Sequence, residues 1–281
     1  MERLRLGSGT IHVEELSHYF GVSVATIRRD LDKLSQSELL TRTYGGAVIG
    51  NIRAEQSLRE REVSHSLAKD AIARTAARLV QPGSTVLLDA GTTTGQLSRY
   101  LAKIPGLTIL TNGLNALNTF AESDSDAQVI ALGGALRRTN QALIGPLAEL
   151  AIRSVYADVA FIGTDCIDVQ RGISSRTPEQ NSLKVLMSAQ SRRTVILADS
   201  SKLNTTWSTF WASLPASCDL ITDDDSGEVA LHPFRSAEGV NLMVCELGGA
   251  AGGTVLTGEI PKHPPGAHFL ELHETKRKLK P

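Results

Sequence analysis

Seven short apolar segments alternate with helical segments through most of the chain. The segments are 85–89, 107–111, 128–132, 158–162, 194–198, 219–222 and 241–244. Continuous apolar strands separated by helices are typical of a parallel sheet that helices cover on both faces. In such a sheet, ligands bind in the loops at the carboxyl ends of the strands. The pattern therefore predicts an α/β domain with a mainly parallel sheet and a binding site at that edge.

Five of the predicted strands lead directly into polar or glycine-rich loops. These loops are 89–94, 111–113, 133–134, 163–168 and 199–202. Each loop alone is a weak signal, because Gly and Thr are common turn residues. Their shared position at successive strand ends favours one common site.

The first of these loops has the composition of an anion site. Gly91 permits a close turn, and Thr92, Thr93 and Thr94 precede a helix predicted over 95–101. Free N–H groups and hydroxyls at a helix N-terminus can surround an anion, and a phosphate group is the natural occupant. No Gly-Lys-Ser/Thr follows, so a nucleotide-binding loop is not predicted. An ordinary threonine-rich helix cap is the alternative.

The first fifty residues carry a different pattern. Ser23 is placed as the N-cap of a helix with an apolar stripe at Ile27, Leu31 and Leu34. A preceding helix has its own stripe, and Gly21 permits a sharp turn between the two helices. That first stripe consists of Val13, Leu16 and Phe20. Segment 41–47 alternates and ends in a Gly-Gly pair, which suits a short β-wing.

The outer face of the second helix suits contact with DNA. Arginine can pair with guanine, and Thr or Ala can meet a thymine methyl or a phosphate. A small helical hairpin with solvated arginines is the alternative interpretation. The predicted DNA-contacting residues are Ser23, Ala25, Thr26, Arg28, Arg29, Lys33, Arg42 and Tyr44.

Segments 23–31 and 41–48 together resemble the amino-terminal signature of the DeoR family of bacterial transcriptional regulators. Residues 67 to about 245 are similar to the sensor domain of that family, which shares its fold with ribose-5-phosphate isomerase and coenzyme A transferases. The resemblance implies a winged helix-turn-helix that binds operator DNA, usually as a repressor. It also implies a sensor domain for a phosphorylated sugar or a related metabolite.

The resemblance also implies roles for individual residues. Thr92, Thr93 and Thr94 would cradle the phosphate, with Asp89 shaping the loop, Asn112 as a polar contact and Lys202 as a nearby cation. Asp165 and Asp168 would hold sugar hydroxyls. Taken singly, these residues could equally be turn, cap or surface residues. The predicted ligand-binding set is Asp89, Gly91, Thr92, Thr93, Thr94, Asn112, Gly133, Asp165, Asp168 and Lys202.

Two positions depart from the family pattern. The family usually has a Glu seven residues before the Met of the following helix, where related isomerases place a catalytic base, and here Gln180 occupies that position. A neutral amide cannot take a proton from carbon, so we expect binding without turnover.

The family also has a full first helix before Val13, and only residues 1–9 are available for it. Either that helix is truncated or the start has been assigned too late.

Length and composition set the remaining expectations. A chain of 281 residues with 41% hydrophobic residues and a formal net charge of −1 fits two ordinary globular domains. Three unclustered cysteines argue against disulfides and a zinc site and favour the cytoplasm, and no metal or cofactor is expected. No run suits a membrane span. We expect a DNA-binding domain over 1–50, a linker over 51–64, a sensor domain over 65–246 and a disordered tail over 247–281.

The sequence thus predicts a repressor of a carbohydrate-utilisation operon whose operator binding is modulated by a phosphorylated sugar. A homo-oligomer is expected, because one small DNA reader makes too few contacts for high specificity. Two alternatives stay open. One is a sugar-phosphate isomerase-like enzyme, and the other is a metabolite sensor that has lost DNA binding.

Overall fold

The computed structural model describes residues 10–36, 40–43, 46–49, 55–225, 227–247 and 254–255. The amino-terminal part contains helices α1 (Val13–Phe20) and α2 (Val24–Gln36). Strands β1 (Thr10–His12), β2 (Leu40–Thr43) and β3 (Gly46–Ile49) form an antiparallel sheet in the order β1-β3-β2. This arrangement is the predicted winged helix-turn-helix.

Local sequence signals explain the two amino-terminal helices. The hydroxyl of Ser23 accepts a hydrogen bond from the Thr26 N–H at 3.1 Å, so Ser23 caps α2 as predicted. Gly21 makes the turn at φ +63°, a conformation that glycine adopts without strain. Val13, Ile27 and Leu31 are buried together as a small core.

Phe20 does not join that core. It was predicted on the buried stripe of α1, but it is 60% exposed. Phe20 is the last residue of α1, and its ring contacts the Tyr19 ring edge-on at 4.9 Å. Among the described side chains of α1, Val13 and Leu16 belong to the apolar core shared with α2, and both lie in the first half of the helix.

The larger part of the chain is built on an eight-stranded sheet. Seven strands are parallel and follow the order β15-β14-β12-β9-β4-β5-β6, and β16 pairs with β15 antiparallel. The strands are β4 (Thr85–Leu88), β5 (Thr108–Thr111), β6 (Gln128–Ala131), β9 (Val159–Gly163), β12 (Thr194–Leu197), β14 (Cys218–Asp223), β15 (Val240–Cys245) and β16 (Thr254–Val255). Each of the seven predicted strands lies within one residue of its predicted ends.

Helices cover both faces of this sheet, as the apolar strands predicted. One face packs against α4 (Ser66–Ala77), α5 (Thr92–Leu101) and α6 (Leu114–Ala121). The other packs against α7 (Pro146–Arg153), α8 (Pro178–Ala189) and α9 (Gly227–Arg235). A 3-10 turn, Ser200–Lys202, follows β12.

The sequence did not predict several short strands. They are β7 (Ala135–Arg137), β8 (Ala142–Ile144), β10 (Ile167–Asp168), β11 (Gly172–Ser175) and β13 (Phe210–Ala212). β7 and β8 form a hairpin, and β11 lies between β10 and β13 in a second small antiparallel sheet. These strands have only two to four residues, so even the apolar ones, β8 and β13, are too short to show the periodic signal on which the prediction depends.

One local prediction was wrong. The helix expected over 95–101 begins earlier, at Thr92, so the three threonines form its first turn instead of preceding it. The segment predicted as a linker, 51–64, contains helix α3 (Leu58–Val63). A capping box between Ser57 and Glu60 starts α3, and Leu58 is buried with its N–H donating to the Thr139 carbonyl at 3.0 Å.

Some predictions concern residues outside this description. They are the truncated first helix in residues 1–9, the contact assigned to Tyr44 and most of the tail 247–281. Within that tail, Thr254–Val255 form strand β16. No helix in the described ranges is both long and apolar enough to cross a membrane.

Candidate functional site

The loops at the carboxyl edge of the sheet enclose a polar cavity. It has a larger part of about 140 Å³ and a smaller part of about 30 Å³, which share Arg61, Thr92, Asp165 and Lys202 in their walls. We call the two parts together the carboxyl-edge cavity. The loops after β4, β9 and β12 and the start of α3 all contribute to it.

The N-terminus of α5 forms one wall of the smaller part. Gly91 is the N-cap, and the first intrahelical bond joins the Gly95 N–H to the Gly91 carbonyl at 3.0 Å. The N–H groups of Thr92, Thr93 and Thr94 therefore lie in the first turn, where a helix has no internal acceptors. A Cβ at Gly91 would lie 3.1 Å from the Thr94 hydroxyl, so the close approach suits glycine.

Two predicted residues, Asp89 and Asn112, bind the backbone of this loop but do not line the cavity. Asp89 accepts from the N–H of Ala90 at 2.8 Å and of Gly163 at 3.2 Å. It also forms a buried ion pair with Lys184, whose ammonium donates to the Gly163 carbonyl at 2.7 Å. Asn112 accepts a second bond from the Ala90 N–H at 2.8 Å. The structure thus gives Asp89 and Asn112 a supporting position.

Cations surround the cavity. Arg61 pairs with Asp165 at 3.2 Å, and Lys202 lies 3.7 Å from Asp199 while donating to the Thr164 carbonyl at 2.9 Å. Burial would raise the pKa of Asp199, but Lys202 and a hydrogen bond from Ser201 hold it below the ordinary value.

Lys69 is the cation whose environment is most unusual. It is 3% exposed and donates to the backbone carbonyls of Arg61 and Ser64. Among the described residues no carboxylate lies within ion-pair distance of its ammonium. Burial, together with the charge of Lys202, lowers the pKa of Lys69 to about 8. An anion in the cavity would stabilise its charged form.

Several buried polar atoms in the smaller part have no hydrogen-bond partner among the described residues. They are Thr94 Oγ1, Ser175 Oγ, Gln180 Oε1 and Arg61 Nε. A buried polar group without a partner costs about 1–3 kcal/mol, and four such atoms on residues that line one cavity are unusual. A ligand that carries both hydrogen-bond acceptors and hydroxyl groups would satisfy them.

An aromatic residue lies at the wall of the larger part. The guanidinium carbon of Arg176 lies 4.2 Å from the ring centroid of Trp207, within the range of a cation–π contact. Both residues line the cavity together with His65.

The structure brings together most, but not all, of the predicted ligand-binding residues. Those that line the cavity are Gly91, Thr92, Thr93, Thr94, Asp165 and Lys202. Asp168 does not reach it, because its carboxylate accepts from the N–H groups of Gln170 and Arg171 and shapes the turn between β10 and β11. Gly133 lies at the end of edge strand β6, beside Leu147, and is also outside the cavity.

Sequence reasoning missed several cavity residues, namely Arg61, Lys69, Ser175, Arg176, Lys184 and Trp207. For two of them a signal was present. Lys69 shares the buried face of α4 with Ile72 and Ala73, and Lys184 shares that of α8 with Met187. A lysine on a buried helical stripe needs a partner, so both positions could have been singled out.

The amino-terminal helix α2 presents the predicted DNA-contacting groups to solvent. Ala25, Thr26, Arg28 and Arg29 are exposed, and Ser23 caps the helix. Lys33 lies on α2 and Arg42 on β2.

The described residues contain no group of three His, Cys, Asp or Glu side chains that could hold a metal ion. The three cysteines are buried as thiols, and burial raises the pKa of Cys218 and of Cys245 to about 11. These thiols are therefore unreactive at neutral pH.

Both parts of the chain match models of known protein families. Residues 2–53 match the model of the DeoR-like helix-turn-helix domain, and residues 64–224 match that of the DeoR C-terminal sensor domain. A putative aga operon transcriptional repressor of Escherichia coli O157:H7 is 35% identical over 207 residues, which cover 73% of this chain and 76% of that protein. The regulator GlpR of Haloferax volcanii is 36% identical over 232 residues, 82% of this chain and 90% of its own.

A more distant likeness concerns solved structures. Ribose 5-phosphate isomerase A of Methanocaldococcus jannaschii aligns with 17% identity and a TM-score of 0.36. The alignment covers 49% of this chain and 53% of the isomerase, which is about half of each.

Proposed function

The chain belongs to the DeoR family of transcriptional regulators, and on that premise we propose that it represses an operon by binding operator DNA, with a phosphorylated sugar in the carboxyl-edge cavity modulating its DNA affinity. Relatives named as transcriptional repressors support this proposal. We further propose that it acts in the cytoplasm as a homo-oligomer, since paired recognition helices read paired half-sites.

The observation that most directly supports phosphate binding is the set of buried hydrogen-bond donors at the start of α5. The first-turn N–H groups of Thr92, Thr93 and Thr94 lie in one wall of the cavity together with the Thr94 hydroxyl, which has no hydrogen-bond partner among the described residues. Lys202 and Arg61 line the same cavity. Amide donors, a helix N-terminus and cations are the groups that bind phosphate in proteins.

The rest of the cavity suits the sugar. Asp165 and the amide oxygen of Gln180 are acceptors for hydroxyl groups, and Ser175 adds a hydroxyl of its own. A sugar hydroxyl can donate to an acceptor and accept from a donor, so it can satisfy groups of both kinds. We therefore assign the polar atoms beyond the phosphate cradle to the carbohydrate.

Gln180 favours binding without turnover. Gln180 lines the cavity and its amide oxygen is buried, whereas an isomerase would need a carboxylate to remove a proton from carbon. The adjacent Glu179 is exposed, and its pKa is lowered by its own backbone N–H and by Thr177. It does not line the cavity, so it does not replace the missing base.

Modulation of DNA affinity follows from linkage. A ligand that binds one arrangement of the protein more tightly weakens the other arrangement by the same coupling factor, typically worth about 1–3 kcal/mol. A sugar phosphate that prefers the arrangement with poor DNA affinity would release the operator.

A thermal-shift screen of phosphorylated sugars tests the proposal, because a ligand that binds the native state raises the melting temperature. Each sugar phosphate is paired with the same sugar lacking phosphate and with inorganic phosphate. We expect a shift with at least one sugar phosphate and a much smaller one with either control. The active compound should then change a salt-dependent gel shift of the protein's own promoter fragment.

Three results would separate the alternatives. Isomerisation of ribose 5-phosphate by the purified protein would favour the enzyme. Ligand binding without any promoter shift would favour a sensor that has lost DNA binding. Equal shifts with sugar phosphates and plain sugars would contradict the phosphate cradle.

A further inference from the structure

The larger part of the carboxyl-edge cavity has more basic than acidic groups in its wall. The basic side chains are those of Arg61, His65, Lys69, Arg176 and Lys202, and the acidic ones are those of Glu55, Asp165 and Asp199. Asp165 and Asp199 pair with two of these basic groups. Glu55 pairs with Arg137, which does not line the cavity. Within the described ranges, Lys69 and Arg176 have no carboxylate at ion-pair distance.

A phosphate group at the start of α5 accounts for one of these two cations. Lys69 is buried and lines the larger part together with Thr92, the first residue of α5. A phosphate group carries a charge of about −1.5 to −2 at pH 7, which Lys69 and the positive end of the helix together offset. Arg176 lines only the larger part, whereas Thr93 and Thr94 line only the smaller part. Arg176 is therefore placed toward a different group of the ligand.

The hydrogen-bond donors of Arg176 are free and accessible. Its guanidinium carbon lies over the ring of Trp207, 4.2 Å from the centroid. A guanidinium has five N–H donors, and a contact with a ring leaves most of them unused. None of the described residues accepts a hydrogen bond from the Arg176 side chain, and its nitrogen atoms are not among the buried atoms without a partner. A ligand in the cavity can therefore reach them.

The pairing of two short strands brings Arg176 and Trp207 together. Arg176 directly follows β11, and Trp207 lies three residues before β13. The two strands pair antiparallel, with Ser175 opposite Phe210. The Ser208 hydroxyl also donates to the Ser175 carbonyl at 2.9 Å. The backbone on both sides of the contact is thus fixed by hydrogen bonds, and the guanidinium is positioned by the ring beside it.

An acidic group suits such an arginine better than a hydroxyl group does. A guanidinium binds a carboxylate or a phosphate through two parallel N–H···O bonds, which match its planar arrangement of donors. A sugar hydroxyl offers one uncharged oxygen, so its hydrogen bond to an arginine is weaker. The unpaired guanidinium therefore favours a ligand that is acidic at this point.

We propose that the ligand of the carboxyl-edge cavity carries a second acidic group, a carboxylate or a second phosphate, which Arg176 binds while Trp207 positions the arginine. The ligand is then a phosphorylated sugar acid or a sugar bisphosphate. This inference rests on the proposed function, because it assigns the first phosphate to the cradle at α5.

Calorimetric titration of the full chain with two pairs of compounds tests the inference. 6-Phosphogluconate and sorbitol 6-phosphate differ only by a carboxylate in place of a hydroxymethyl group. Fructose 1,6-bisphosphate and fructose 6-phosphate differ only by one phosphate group. We expect the compound with the second acidic group to bind about tenfold or more tightly in at least one pair. The pair with the larger preference identifies the group as a carboxylate or a phosphate.

Variants of the two residues test their roles. Arg176→Gln keeps a polar side chain but removes the charge, so it should abolish most of the preference and leave the affinity for the compound with one acidic group nearly unchanged. Trp207→Leu should reduce the preference in part, whereas Trp207→Phe keeps a ring and should retain it. Both side chains are partly exposed, so the variants should melt near the temperature of the unmodified chain.

The matched control is Arg171→Gln. The guanidinium carbon of Arg171 lies 5.9 Å from the ring centroid of Trp211, so this arginine also lies over a tryptophan. Neither Arg171 nor Trp211 lines the cavity. The substitution removes the same charge from the same small sheet and should leave the preference unchanged.

Equal affinities within both pairs would overturn the inference, and so would a preference that Arg176→Gln leaves intact or that Arg171→Gln reduces equally. In each of these cases the compounds still bind, so the proposed function would stand. Failure of all four compounds to bind would also overturn the inference, whereas the proposed function fails only if no sugar phosphate of the wider thermal-shift screen binds.

Discussion

The ammonium of Lys184 forms a buried ion pair with the carboxylate of Asp89, a residue 95 positions earlier in the chain. Lys184 lies on α8, and Asp89 directly follows β4. The pair therefore connects a helix on one face of the sheet to the loop that begins the proposed phosphate cradle on the other. Because Asp89 also accepts from Ala90 and Gly163, one carboxylate fixes the backbone of two loops of the cavity.

Replacing Asp89 by Asn should be strongly destabilising, because it leaves the Lys184 charge buried without its partner. We expect a loss of about 3–5 kcal/mol in the free energy of unfolding, measured by urea denaturation. The control is Glu228→Gln, which breaks the more exposed Arg235–Glu228 pair and should cost at most about 1 kcal/mol. Similar small losses in both variants would show that the buried pair is not structurally important.

Thr94→Val should separate stability from binding. The Thr94 hydroxyl is buried and has no partner in the part of the chain that the structure describes, so its removal should leave the free protein as stable as before or slightly more stable. Binding of the sugar phosphate should weaken by about tenfold or more, since the cradle loses a charge-assisted hydrogen bond. Calorimetric titration and thermal melting measure the two effects.

The matched control for that experiment is Thr222→Val. Thr222 is also fully buried and its hydroxyl also lacks a partner among the described residues, but it does not line the carboxyl-edge cavity. Its replacement should have the same small effect on stability and none on binding. If Thr222→Val weakened binding as much as Thr94→Val, the assigned role of Thr94 would be wrong.

The lowered pKa of Lys69 predicts a pH dependence of stability. The folded pKa is about 8 and the ordinary value is 10.5, so between these values the unfolded chain binds more protons than the folded one. The free energy of unfolding should therefore rise with pH through this window, and the contribution should be lost as the pH falls through about 8. Lys69→Met should abolish this part of the profile, which denaturation at several pH values can measure.

Ligand binding should show the opposite trend. Loss of the proton removes a positive charge from the cavity wall, so affinity for a sugar phosphate should decrease as the pH rises through about 8. In Lys69→Met the affinity should be lower and less dependent on pH in this range. A wild-type affinity that stays constant across this range would show that Lys69 does not act on the ligand.

Arg29→Ala tests the predicted DNA-contacting face of α2. Arg29 is exposed on α2, near the capped N-terminus of the helix. If Arg29 contacts a base, the variant should bind the operator more weakly by about 1–3 kcal/mol. If Arg29 contacts a phosphate, the slope of log affinity against log salt concentration should become smaller by about 1. Arg99→Ala is the control, because Arg99 is an exposed arginine on α5. Equal losses in both variants would argue against a specific role for α2.

Much of the fold was predictable because its signals are local. The seven parallel strands are apolar runs bounded by turn residues, and Ser23 and Gly21 mark the helix start and the turn by their own conformational preferences. The short strands β7, β8, β10, β11 and β13 have two to four residues, which is too short for a clear local signal, and they were found only through their pairing in the structure.

The site divides in the same way. The threonines after β4 and the acid Asp165 follow from the rule that ligands bind at the carboxyl ends of parallel strands. Whether a polar side chain at such an end faces the cavity depends on the path of its loop. The Asp168 carboxylate accepts hydrogen bonds from the N–H groups of its own turn, and Gly133 lies at the outer edge of the sheet.

By itself, the sequence determined the seven parallel strands, the two domains and the edge of the sheet at which the cavity lies, because apolar periodicity and capping act over a few neighbouring residues. Only the tertiary structure decided that Lys69, Lys184 and Arg61 line the same cavity as the threonines of α5. It also decided that Phe20 and the leucines of α7, Leu147 and Leu150, stay exposed. Those outcomes depend on contacts between residues that are far apart in the chain. The order of residues alone does not show which of them lie close together in space.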